Sequence, residues 1–258
     1  MASIEYGAVT HAGQRPANED MLRGAPEDSR AIERGHLFAV ADGLGGHKGG
    51  GLASRLACQG LDDYYQRRIP SPPPWSPRKL SRHLEETVLR IDRHIRRLGL
   101  HHAALADMGT TLSCLVVTRG HTIVAHVGDS RIYRLRRGHL TCMTSDHTFL
   151  QEMIFEGEVD VVRAADHPLR HLLTRVVGTA EPLPWVDTRV DPLFIDDRFL
   201  LCTDGLHNHL TTKQLETVMS KPWHARRIAL TLVTGALDAG ARDNITAVVI
   251  RNDGKREP

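Results

Sequence analysis

No stretch of this chain approaches the ~18 consecutive apolar residues that a membrane-spanning helix requires. Its opening Met-Ala-Ser-Ile-Glu-Tyr lacks a basic region followed by an apolar one, so no secretory leader is expected. Charge imbalance is also missing: 33 Lys and Arg against 31 Asp and Glu leave a formal +2. Such a balance creates no field for nucleic acid or a membrane surface. Cysteine is scarce. Cys58, Cys114, Cys142 and Cys202 are widely spaced with no Cys-x-x-Cys, and three lie in apolar strand-like segments. Buried reduced thiols and a cytoplasmic home are the expectation. No internal repeat is present, and no nucleotide loop fits. A Walker loop fails because Lys48 follows His47 and precedes Gly49, and a Gly-x-Gly-x-x-Gly pattern begun at Gly43 ends on Lys48 instead of glycine.

What is present is a set of short apolar, β-branched segments bounded by Gly or Asp: 36–41, 110–118, 121–127, 131–135, 198–203 and 244–251. Arg119-Gly120 suits a tight hairpin, and Gly128-Asp129-Ser130 and Arg137-Gly138 suit further turns, which predicts an antiparallel meander. Helical spacing of apolar residues runs through 50–68 and 78–98; a short helix opens at Thr211, and a longer one over 224–239 stops before Gly240. Between the first two, Ile69 to Pro77 holds five prolines in nine residues and reads as a stiff connector. Acidic motifs come from both ends of the chain, so one domain over 1–258 is expected, with a core of about 4–251.

The informative residues are aspartates at strand ends. Asp42-Gly43 follows the apolar run to Ala41, Asp129 follows Val127-Gly128, Asp204-Gly205 follows Leu201-Cys202-Thr203, and Asp243-Asn244 precedes Ile245. A fifth motif, Arg15-Pro-Ala-Asn-Glu19-Asp20, lies near the N-terminus. Any one Asp-Gly reads equally well as a turn. Together they are a way to gather oxygen ligands from distant parts of a chain, and oxygen-only sites suit hard cations such as Mg²⁺ or Mn²⁺. Gly43 can offer its carbonyl because no side chain obstructs approach. Arg15 reads either as a surface ion pair or as a two-pronged phosphate clamp. The pattern points to a metal-dependent hydrolase.

In order and approximate spacing, Arg15-x-x-Asn18-Glu19-Asp20, Ala41-Asp42-Gly43-x-Gly45-Gly46, Gly109-Thr110-Thr111, Gly128-Asp129-Ser130-Arg131, Thr203-Asp204-Gly205 and Asp243-Asn244-Ile245-Thr246 resemble the PP2C family, the metal-dependent protein serine/threonine phosphatases, in its compact bacterial form. The resemblance implies an α+β fold: an α-β-β-α sandwich of two antiparallel sheets packed face to face and flanked by helices. It implies a pair of Mn²⁺ or Mg²⁺ ions bridged by Asp42. Gly43 would serve through its carbonyl, with Asp204 and Asp243 completing the first ion's ligands. Glu19 and Asp20 would support the ions directly or through water, Asp129 would join Asp204 at a third, weaker ion, and Arg15 would bind phosphate. Thr148 to about residue 170 resembles the flap beside the site in bacterial members. One position departs from many eukaryotic relatives, which carry histidine after the Asp-Gly; here it is Leu44, as is common in bacterial members, and the nearby His47 suits a supporting role.

Hydrolysis of phosphoserine or phosphothreonine would follow from a hydroxide shared by two cations. No Cys-x₅-Arg arrangement offers a thiol route. The expected partners are phosphorylated proteins, with a cognate Ser/Thr kinase or its substrate foremost. Two alternatives stay open: a catalytically silent binding module of the same fold, which ligand loss would mark, and a phosphatase of small phosphate esters.

Overall fold

Central strands buried on both faces build the sheets. A computed structural model of the chain describes residues 4–24, 33–44, 49–69, 73–159, 169 and 171–254. Strands β1 (Ile4–His11), β2 (Met21–Arg23), β3 (His36–Ala41), β4 (Gly43–Leu44), β5 (Gly109–Thr110), β6 (Leu112–Val117), β7 (His121–Val127), β8 (Arg131–Arg136), β9 (His139–Cys142), β10 (Asp187–Pro192), β11 (Arg198–Cys202) and β12 (Ile245–Asn252) are antiparallel throughout. One five-stranded sheet runs β1-β12-β11-β8-β9, the other β10-β7-β6-β3-β2, and β4-β5 form a small ribbon. Along β3 and β6, Phe38, Val40 and Leu115 face the opposing sheet, where they meet Ile132, Phe199, Leu201, Val248 and Ile250. Their neighbours Leu37, Ala39, Cys114 and Val116 point the other way, as period two demands.

Helices cover both outer faces. α1 (Gly49–Gly60), α2 (Asp62–Gln66) and α3 (Pro77–His101) pack on the β3-β6-β7 face through Ala53, Tyr64, Leu84, Val88 and Ile95. α4 (Phe149–Phe155) opens the flap segment. α5 (Asp204–His207), α6 (Thr212–Met219) and α7 (Ala225–Asp238) lie on the other sheet through Leu206, Leu215, Ile228 and Leu232. The result is the expected four-layer α-β-β-α sandwich.

The expected elements differ from the observed ones in instructive places. The predicted helix over 50–68 breaks at Leu61 into α1 and α2. The strand expected over 110–118 is interrupted at Thr111, because Gly109–Thr110 pairs with Gly43–Leu44 instead. Pro77 is not connector: it is the first residue of α3, capped by Ser76, whose hydroxyl accepts from the Lys79 amide at 3.3 Å. Residues 70–72 of the proline-rich segment, Gly45, Gly46 and His47, and 160–168 and 170 of the flap lie outside the described residues. All four cysteines are free as expected, yet Cys142 is exposed at the end of β9, an edge strand, and Cys58 lies on a helix. The turns behave as read. Thr118 and His121 close the Arg119-Gly120 hairpin (2.9 Å), and Arg137 and Gly138 both take positive φ, as a primed hairpin turn requires. Among the described residues, no helix is long and apolar enough to cross a membrane.

Candidate active site

Strand direction does the assembly. β1, β3, β7 and β11 end, and β2, β8 and β12 begin, at one end of the sandwich, so residues 15–20, 42–43, 129, 204 and 243 all emerge there. Asp42 is pinned on both sides of its backbone. Its amide donates to Thr111 Oγ1 (2.9 Å), and its carbonyl accepts from the Thr111 amide (2.9 Å) and Thr110 Oγ1 (2.9 Å). Gly43 sits so close to the backbones of Gly50 and Glu19 that any Cβ would collide with them.

Asp20 is buried, with Oδ2 accepting from Thr203 Oγ1 (2.8 Å) and Thr246 Oγ1 (2.7 Å), while Oδ1 is buried without a partner. Asn244 ties this segment down: Oδ1 accepts from the Glu19 amide (2.8 Å), and Nδ2 donates to the carbonyls of Ala12 (2.9 Å) and Ala17 (3.0 Å). Asp204 begins α5, and its Oδ2 accepts from Asn208 Nδ2 (3.2 Å). Asp129 follows Gly128, whose φ of 106° only glycine adopts comfortably, and its carbonyl accepts from His207 Nε2 (3.0 Å).

The carboxylates act on one another. Burial, then the charges of Asp20, Asp204, Asp129 and Asp243, push Asp42 well above the ordinary carboxylate range. Burial raises Asp20 to about 7, opposed by its two threonine bonds and reinforced by Asp204 and Asp243. Burial raises Asp129 to about 7 as well, with Asp204 and Asp146 adding to it. Asp204 is raised by burial and then by Asp243.

Arg15 is not free. Its Nε and Nη2 grip Asp243 Oδ1 (3.0 Å) and Oδ2 (2.8 Å) in a two-pronged pair at the surface. Glu19 is half-buried, and its charge reaches Arg15.

Among the described residues, no three Asp, Glu, His or Cys side chains form a preformed coordination cage. The donor set nevertheless fits divalent cations. The carboxylates raise one another's pKa, and Asp20 Oδ1 is an acceptor with nothing to accept, so positive charge is the missing component. Cys114 and Cys202 are poor thiol nucleophiles, since both are buried and burial pushes their thiols far up. Sequence reading quoted the Gly109-Thr110-Thr111 and Thr203 motifs without a role; the structure makes them the clamps of Asp42 and Asp20. It passed over Asp146, His147, His171 and His207. Asp146 and His171 act on Asp129 and Asp204, and nothing in their spacing signals it.

Known proteins agree with this architecture. Residues 10–234 match the family described as protein phosphatase 2C. The serine/threonine phosphatase stp of Listeria monocytogenes is 31% identical over 217 residues, 84% of each chain. A serine/threonine phosphatase of S. agalactiae has a solved structure that superposes with a TM-score of 0.86 at 29% identity, covering 96% of this chain and 99% of that one. The catalytic domain of the phosphatase PstP, solved with two manganese ions, gives 0.80 at 29% identity over 96% and 97%. With the family's sequence match spanning most of its length and the family's sandwich in its fold, this chain belongs to the metal-dependent protein phosphatases of the 2C family.

Proposed function

We propose that this protein hydrolyses phosphoserine and phosphothreonine in proteins, with its catalytic unit in residues 4–251, and that it opposes a Ser/Thr kinase by acting on the kinase or its targets. The observation that carries the reading is the group of mutually repelling carboxylates at one end of the sheets. Asp42, the Gly43 carbonyl, Asp204 and Asp243 would hold a pair of ions, Asp20 and Glu19 would support them directly or through water, and Asp129 with Asp204 would serve a third. Mn²⁺ or Mg²⁺ bound there would supply positive charge for a phosphoryl group and lower the pKa of water toward neutrality.

The chain's own residues do the rest. Thr203 and Thr246 hold Asp20 with one oxygen aimed away from them, and Thr110 and Thr111 fix the Asp42 backbone, so the carboxylates need not reorganise. Arg15 leaves Asp243 to take two equatorial phosphoryl oxygens in its fork. Leu44 has no ionisable proton to give, so the leaving oxygen would take its proton from water or from another side chain. Free, buried thiols at Cys58, Cys114 and Cys202 support a reducing, cytoplasmic setting.

The test is hydrolysis of matched phosphothreonine and phosphotyrosine peptides with Mn²⁺, and again after exhaustive EDTA treatment. Turnover should favour phosphothreonine and vanish on chelation. Undiminished activity in EDTA would exclude the metal reading, and a preference for small esters over both peptides would exclude the protein-substrate one.

A further inference from the structure

Asp129 is buried, and it follows Gly128 in a turn whose φ of 106° lies in the left-handed region. The backbone of that turn is held by contacts from outside the two strands it joins.

The holding contacts converge on His147, a residue 1% exposed. The Gly128 amide donates to His147 Nδ1 (3.1 Å), and the His147 amide returns a bond to the Gly128 carbonyl (2.8 Å). A bare Nδ1 places the ring proton on Nε2, which donates to Asp187 Oδ2 (3.1 Å). Asp187 Oδ1 is itself held by Arg175 Nη1 (2.8 Å) and Trp185 Nε1 (3.0 Å). The His147 ring packs on that of His126, centroids 4.7 Å apart. Its carbonyl accepts from Thr174 (2.9 Å), and the next residue, Thr148, caps α4 with a hydroxyl that accepts from the Gln151 amide (3.2 Å).

We propose that His147 is a positioning residue for Asp129, fixing the Gly128 turn through a single imidazole tautomer that Asp187 selects, and joining that turn to the foot of the flap. The proposal rests on reading Asp129 as a ligand of the additional, weaker ion. It extends the pattern in which an outer carboxylate orients a metal-bound histidine. Here the histidine instead holds the backbone of Gly128, next to the ligand, so it needs no contact with the ion. Position 128 leaves little alternative: a side chain there would strike Thr111, the residue that clamps Asp42.

The experiment uses the full chain and two variants, His147→Ala and His147→Asn. Two readouts are taken: exchange of the Gly128 amide by NMR in metal-free protein, and calorimetric titration with Mn²⁺. His147→Ala should accelerate Gly128 exchange and weaken the weakest Mn²⁺ step by about 10-fold, leaving the tighter steps unchanged. In His147→Asn the side-chain oxygen can accept the Gly128 proton at similar reach, so both properties should largely recover. A folded Ala variant with wild-type Gly128 exchange and an unchanged weak step would overturn the proposal, as would an Asn variant no better than Ala. Should the Ala variant fail to fold, the ring nitrogen shifts of the wild type decide. A bare Nδ1 coupled to the Gly128 amide supports the assignment, and a protonated Nδ1 overturns it. A wild type that binds no Mn²⁺ would refute the metal reading of the site, while Gly128 exchange would still judge His147.

Discussion

At the scale of single residues, the carboxyl groups make a pH prediction whose sign is fixed. Asp20 and Asp129 are raised to about 7 in the folded chain, whereas an unfolded aspartate titrates near ~4. A raised carboxyl costs folded-state stability above its unfolded value, fully so above about 7, and a bound cation offsets that cost. The rise in Tm on adding Mn²⁺ should therefore be greatest near pH 8 and shrink as pH falls through about 7, by roughly 5 °C across the range. His126 and His83, held low chiefly by burial, act alike with and without metal and cancel in the difference. Thermal melts from pH 5.5 to 8, with and without Mn²⁺, check this; a metal-induced rise independent of pH contradicts it. Arg15 gives a second test. Arg15→Ala should lower kcat/KM by roughly 10–100-fold without loss of fold, since a charge-assisted bond is worth ~1.5–3 kcal/mol. Wild-type kinetics would reduce Arg15 to the surface ion pair that its contact with Asp243 already is. Both aspartates and the arginine stood out in the sequence because each sat in a short motif. The contacts that tune them did not, because Thr203, Thr246 and His147 meet their partners across 183, 226 and 19 residues.

Among the elements, the strands that carry the site were the most readable, since β3, β7, β8, β11 and β12 combine apolar runs with a Gly or Asp stop. β1 was missed: it mixes polar and small residues, and an edge strand is stabilised by partners that its own sequence does not reveal. β10 was missed for the same reason; its Asp187-Thr-Arg-Val-Asp-Pro looks like a loop until β7 pairs with it. α3 was read almost whole from its apolar spacing, yet a charged residue inside it has a task that no periodicity suggests. Asp92 is buried, with Oδ1 accepting from the Gly178 amide (2.9 Å) and Oδ2 from Leu183 (3.4 Å), so the helix anchors the loop that leads into β10. Asp92→Ala would leave two enclosed N–H groups unpaired and should destabilise the protein by about 2–3 kcal/mol. Urea unfolding should register it as a lower midpoint with an unchanged slope. A loss below about 0.5 kcal/mol would mean that water replaces the carboxylate.

For the whole molecule, the layer order was legible because six motifs in sequence are specific to one family, while their mutual placement needed the pairing of strands far apart in the chain. Asp20 and Thr246 meet across 226 residues, and Arg15 and Asp243 across 228. A site assembled at that range exists only once both sheets have closed. Activity and far-UV dichroism should then disappear together in urea, within one transition; activity lost at clearly lower urea would show that the site end opens by itself. The pairing of β1 with β12 has a mechanical consequence. Ile4 lies opposite Asn252, and His11 opposite Ile245, so the outer ends of both strands leave the sandwich side by side. They do so about 25 Å along the strands from the end where the aspartates gather. Tension applied through those two ends would open this pair like a zipper, one rung after another from Ile4 and Asn252. The rungs beside Thr10 and Thr246, which hold the catalytic end together, would be the last to part.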